Sequence, residues 1–176
     1  MTVRTIVPFG ESALRSSCRD ADPTDPRTHR QLDDLRETLY AKEGRAGLAA
    51  PQIGLLRRLI VIDVGDGLVE LINPQLIRAS GEQTGTEGCL SLPGYYGFVK
   101  RAMSITVRTM RRSGETAVLE AEGGLARCIQ HEMDHLNGVL YVDHIQDGWL
   151  YEDATGRQSP LVPFLALSRG QGARRV

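Results

Sequence analysis

Apolar positions along the chain follow two periods, and the switches between them mark out the elements. After an extended entry with turns at Pro8, Gly10 and Pro23, Leu32, Leu35 and Leu39 recur at three- and four-residue spacing, which predicts a helix with one buried stripe. Asp25-Pro26 offers an N-cap and a proline at the first helical position, and Gly44 a stop after Tyr40. His29, in the first turn, is expected on the solvated surface. Arg45 to Gln52 reads as a small-residue loop, where a ligand or another strand can approach the backbone closely.

Strands follow. Arg58 to Val64 is strongly apolar, and Gly65-Asp66-Gly67 turns it into Leu68 to Ile72, which Asn73-Pro74 is expected to end. Glu82 to Glu87 reads as a strand leading into Cys89. From Val99 the positions Val99, Met103, Ile105 and Val107 alternate with polar ones, predicting one half-buried strand, with Thr116 to Glu120 its partner across Ser113-Gly114. Gly123-Gly124 opens a second helix and Asn137-Gly138 closes it. Leu125, Ile129, Met133 and Leu136 form its core stripe, and Gly124, Cys128, His131 and His135 line an adjoining face. Beyond residue 146 the pattern fades. Residues 1–146 are therefore expected to form one domain, and 147–176 a loosely ordered C-terminal extension ending in Gly170 to Val176. Helix, antiparallel strands, then helix is an α+β order, with the strands packed around the second helix.

Composition adds little beyond exclusions. The 176 residues suit one domain, and 41% hydrophobic with 24% charged content is ordinary for a globular protein. A net charge of −1 gives no reason to expect a DNA-binding surface. Three cysteines, Cys18, Cys89 and Cys128, do not suggest a disulfide framework and fit a reducing compartment. With no signal-peptide core and no membrane-length apolar run, a cytoplasmic protein is expected.

The chemistry centres on His131-Glu132-Met133-Asp134-His135. On a helix, His131 and His135 project one turn apart from the same face and can grip one divalent metal, while Glu132 beside them can move a proton for a metal-bound water. A catalytic metal site needs a third ligand. The extended protease pattern HExxHxxGxxH matches as far as Gly138 but has Tyr141 at its last position, and His144 comes three residues late. Asp143 and Asp153 remain available downstream. Cys89, in a turn between strands, is the better donor, since thiolate binds zinc or ferrous iron strongly. Cys128 shares the helix face, but three donors at i, i+3 and i+7 on one rigid helix cannot converge, so it is expected to line the pocket or core.

Three stretches, Gly47-Leu48-Ala49-Ala50-Pro51-Gln52, Glu87-Gly88-Cys89-Leu90-Ser91 and Gln130-His131-Glu132-Met133-Asp134-His135-Leu136, resemble in order and spacing the three signature motifs of peptide deformylases. Phe9-Gly10-Glu11 and Asn137 to Asp143 are also similar, and the resemblance spans roughly residues 5 to 146. It implies removal of the formyl group from the N-terminal methionine of new proteins, using Fe(II) with Zn(II) or Ni(II) as substitutes. It further implies that Cys89, His131 and His135 hold the metal, that Glu132 is the general acid–base, and that Gln52 and the Leu90 N–H stabilise the oxyanion. The Gly47 backbone would pair with the extended substrate, and Gly88 would lie along it. A monomer is expected. Its partners would be the N-formylated peptide and, through the arginine-bearing tail, the ribosome exit region.

The chain departs from the family pattern at several substrate-binding positions. Arg45 and Ala46 precede Gly47 where the family has glycine and a β-branched residue. Tyr96 stands where an arginine usually holds the substrate backbone, a role that Arg101 could partly replace. Gly124 and Arg127 occupy positions that are normally bulky and aliphatic and line the methionine pocket. An unpaired guanidinium there would cost several kcal/mol, so either it reaches water or the pocket receives a polar or acidic group. Alternatives are thus a paralogue acting on another N-formyl or N-acyl substrate, an HExxH peptidase, or a non-catalytic metal-binding relative.

Overall fold

The computed structural model describes residues 2–170. Helix α1 spans Pro26–Tyr40, and the Asp25 side chain accepts from Arg27 N at 2.7 Å, capping it as expected. Strands β1 (Gly47–Ala49), β2 (Leu59–Ile62), β3 (Val69–Ser80), β6 (Ser104–Met110) and β7 (Thr116–Glu122) form an antiparallel sheet in that spatial order. A second antiparallel sheet comprises β4 (Gln83–Cys89), β5 (Leu92–Arg101), β8 (Trp149–Glu152) and β9 (Gln158–Pro160), in that order. Helix α2 covers Gly123–Leu136, and α3 covers Leu161–Ser168.

Side-chain alternation on β2 explains the layering. Leu59 and Val61 face Leu32, Leu35 and Leu39 of α1, whereas Ile60 and Ile62 face Ala126, Ile129 and Leu136 of α2. Strands β1 and β2 are thus buried on both faces, whereas the outer part of β3 and one face of β7 are exposed. The second sheet closes over the opposite side of α2, whose central place is the expected one. The fold is α+β.

Several local expectations change. The pattern from Val99 to Val107 belongs to two strands in different sheets, β5 and β6, with a break at Ala102-Met103. Period-2 spacing alone cannot reveal which sheet each half joins. Asn73-Pro74 does not end β3. The strand continues through a register shift between Ile72 and Gln75, with Asn73 at φ 52°, so proline's missing N–H removes no ladder bond. Asn73 is held there by mutual hydrogen bonds with the Ala21 backbone at 2.8 and 2.9 Å. The small-residue loop contains β1 and a 3-10 turn, Ala50–Ile53. His29 is half-buried, with Nε2 at 2.8 Å from Pro23 O and 3.1 Å from Arg112 O.

The largest difference lies after residue 146. Instead of a loose extension, residues 149–168 form β8, β9 and α3, with Tyr95 and Tyr96 of β5 paired to Glu152 and Tyr151. Leu150 and Leu161 join Leu14, Val99 and Tyr141 in a core cluster. The apolar residues of this segment fall in two short runs, 149–151 and 161–167, too short to show a period, and their core comes from β5 and from Leu14 and Tyr141. Residues 171–176, which carry most of the arginine-bearing end, lie outside the described residues.

Candidate metal centre

Each signature stretch reaches the site from a different element. Helix α2 begins at Gly123, whose N–H donates to Met103 O at 2.9 Å and whose φ of 55° suits glycine. This fixes the helix against the first sheet by Ala126, Ile129 and Leu136 and turns His131, Glu132 and His135 inward, all buried. Cys89 ends β4 at a register shift after Gly88, where the chain turns tightly into β5. Its Sγ comes to 3.4 Å from His135 Nε2. The N-terminal segment ties the remaining pieces together: Val7 N donates to Gln52 O and Phe9 N to Ser91 O, both at 2.8 Å.

Ligand atoms of Cys89, His131 and His135 all lie within 4.8 Å of one another, and among the described residues they are the group that could hold a metal. Burial pushes the Cys89 thiol up, but the adjacent His135 and His131 outweigh it and hold the group well below its ordinary value, as a thiolate. Thiolate and imidazole are suitable donors for Fe(II), Zn(II) or Ni(II). The two histidines differ in what their Nδ1 atoms meet. His131 Nδ1 lies 3.0 Å from Glu87 Oε2, and buried His135 Nδ1 has no hydrogen-bond partner. The residues present therefore fit a divalent ion.

Glu132 Oε2 is buried with no partner, and burial, reinforced by Cys89 and Glu87, lifts its carboxyl above the usual range against the pull of the two histidines. A carboxylate so placed readily accepts a proton. Gln52 is orientated unambiguously: its Oε1 accepts from Ala49 N at 2.8 Å, so its Nε2 points towards Cys89 Sγ, 3.5 Å away. A cavity of about 760 Å³ opens over these groups, within the size range of small-ligand sites. Ala46, Gly47, Gln52, Gly88, Cys89, Leu90, Gly124, Arg127, Cys128 and Glu132 all border it.

Other sequence candidates go elsewhere. Tyr96 points away from the cavity lining, stacked on Tyr151 at 5.4 Å and edge-on to Phe98 at 6.2 Å; its neighbour Tyr95 lines the cavity instead. Arg101 does not replace a substrate-binding arginine. It is buried and grips Glu87 through Nε and NH2, both at 2.9 Å, and Asp134 through NH1 at 2.6 Å. Asp143 pairs with Arg15, and Asp153 sits at the cavity rim outside the ligand group. Arg127 is paired: NH1 donates to Glu87 Oε1 at 2.8 Å and Val99 O at 3.0 Å, and NH2 to Gln83 O at 3.3 Å. The residue missed in the sequence is Glu87. Two positions before Cys89 on a strand, it faces the same side, a period-2 signal that was there to be read.

Fold and site together define a hydrolase built around an HExxH helix with a cysteine donor from a neighbouring strand. Residues 3–148 match the polypeptide deformylase family model. The peptide deformylase of Carboxydothermus hydrogenoformans is 48% identical over 143 residues, covering 81% of this chain and 93% of that protein. That of Alkaliphilus metalliredigens is 47% identical over 145 residues, covering 82% and 98%. The crystal structure of the Thermotoga maritima peptide deformylase superposes with a TM-score of 0.80 at 37% identity, covering 83% of this chain and 99% of that one. The chain belongs to the peptide deformylase family, the hydrolases that remove the N-formyl group from the N-terminal methionine of newly made proteins. Strands β8 and β9 and helix α3 lie beyond the matched stretch.

Proposed function

We propose that Cys89, His131 and His135 hold one divalent ion, Fe(II) in the cell, and that Glu132, Gln52 and Leu90 carry out deformylation around it. The observation that carries this reading is the convergence of one thiolate and two imidazoles beside a buried, unpartnered carboxylate. When bound, the ion would supply Lewis acidity to water and to the formyl oxygen.

The chain's own residues do the rest. Glu132 takes the proton of the attacking water and returns it to the departing amine. The Gln52 Nε2, fixed by the Ala49 contact, and the Leu90 N–H at the cavity wall donate to the formyl oxygen as it gains charge. Strand β1 pairs with β2 on one edge only, and Gly47 at the cavity presents its backbone to an extended peptide. No helix among the described residues is long and apolar enough to cross a membrane, in keeping with work on new chains in the cytoplasm.

The side-chain pocket favours methionine over an acidic group. The Arg127 charge is spent on Glu87 and backbone carbonyls, so the aliphatic stem and Cys128 face the cavity, with open space at Gly124. Anaerobic turnover of formyl-Met-Ala-Ser and formyl-Glu-Ala-Ser by the iron-loaded protein tests this. Preference for the methionine peptide is expected; preference for the glutamate peptide overturns the pocket assignment, and silence on both overturns the reaction. Metal content of anaerobically purified protein tests the assignment of iron.

A further inference from the structure

Four hydrogen bonds converge on Glu87. Its Oε1 accepts from Arg101 Nε at 2.9 Å and Arg127 NH1 at 2.8 Å; its Oε2 meets Arg101 NH2 at 2.9 Å and His131 Nδ1 at 3.0 Å. Arg101 reaches it from β5, Arg127 from α2 one turn before His131. Arg127 does more than pair a charge. Its guanidinium spans from α2 to carbonyls on both β4 and β5, Gln83 O and Val99 O. It also lies against Gly85, where a Cβ would stand 3.3 Å from NH2 and 3.4 Å from Cζ. A β-carbon at residue 85 would press on this guanidinium, which would have to give by a few tenths of an ångström.

We propose that Arg127 is a positioning residue for the metal ligand His131, acting through Glu87, with Gly85 as the partner that makes room for it. With two guanidinium donors on Oε1, the carboxylate is held against rotation and Oε2 stays aimed at His131 Nδ1. That contact orients the imidazole and reserves Nε2 for the metal, as outer-shell carboxylates do for ligating histidines. Arg101 forks both oxygens from β5, and Arg127 adds a second donor on Oε1 from the helix that carries His131 itself. One side chain then serves two tasks: the stem walls the pocket, and the guanidinium holds the centre together.

The inference rests on His131 being a ligand, and the experiment separates the two claims. Co(II) is loaded into the purified full chain, its absorption spectrum is recorded, and its affinity is measured by competition with a chelator. kcat and KM on formyl-Met-Ala-Ser are measured alongside. Arg127→Met keeps the stem and removes the fork, and is expected to weaken Co(II) binding about tenfold, the lower end for outer-shell partners, to shift the cobalt bands, and to lower kcat more than KM rises. Arg127→Lys should recover part of the loss. Gly85→Ala, whose β-carbon asks the guanidinium to give by a few tenths of an ångström, should change Co(II) affinity and bands in the same direction but by less. Wild-type Co(II) affinity and bands in Arg127→Met, with only KM raised, would overturn the proposal and leave Arg127 as pocket wall. Failure of the wild-type chain to give a cysteine-ligated cobalt spectrum would overturn the metal-site reading, and this inference with it.

Discussion

A β-carbon on Gly47 would stand 2.6 Å from Glu132 Oε1, and 2.8 Å from the sulfur of Cys128. Strand β1 therefore runs against the Glu132 carboxylate at a separation only glycine allows. Gly47→Ala must move either β1 or both Glu132 and Cys128. Misplacement of a reacting group by about 1 Å can cost roughly 100-fold. We expect a loss of that order in kcat/KM with the Co(II) spectrum largely kept; near-normal turnover would show that neither group needs its present place.

Glu132 has no hydrogen-bond partner at Oε2 and contributes no ligand atom to the metal group. Glu132→Gln should therefore leave metal content unchanged by elemental assay while lowering kcat by about 10²–10⁴, the range for losing a positioned acid–base. Parallel loss of metal and activity would instead make it a structural support of the centre.

The C-terminal hairpin is part of the core. Leu150 is 0% exposed and packs with Val99 and Leu161. Arg15 further ties α3 to the domain by donating to the Ser168 hydroxyl at 2.5 Å while pairing with Asp143 of the turn Tyr141–His144. Leu150→Ala should cost about 2–5 kcal/mol, read from the urea midpoint. A cost under about 0.5 kcal/mol, the usual size at surface positions, would return residues 149–168 to the status of a dispensable extension.

Acid should unfold the protein through its paired carboxylates. Burial alone would lift Glu87, but hydrogen bonds from Arg101 and His131 outweigh it and hold the carboxyl well below its ordinary range. Asp134 is lowered likewise, burial being outweighed by His144 and Arg101. A carboxyl depressed in the folded state stabilises fully above its unfolded pKa, about 4.3 for glutamate, and progressively less as pH falls towards the folded value. The urea midpoint should thus hold between about pH 5 and 7 and decline below about pH 4, with a shallower decline in Glu87→Gln. A midpoint unchanged down to about pH 3 would contradict the pairing.

Local sequence determined much of this protein. Leucine spacing and the Asp25-Pro26 cap suffice for α1, and histidines four apart on a glycine-opened helix must share a face. These features depend on backbone period and on neighbours in the chain. Tertiary structure decided what distance along the chain conceals: that Val99 and Ile105 belong to different sheets, that β8 pairs with β5, and that Arg101 serves Glu87. Arg127 shows the reason most plainly. Its guanidinium has partners on β4 and β5, 28 or more residues back along the chain. No local pattern encodes such pairings, because they exist only once two sheets close around one helix.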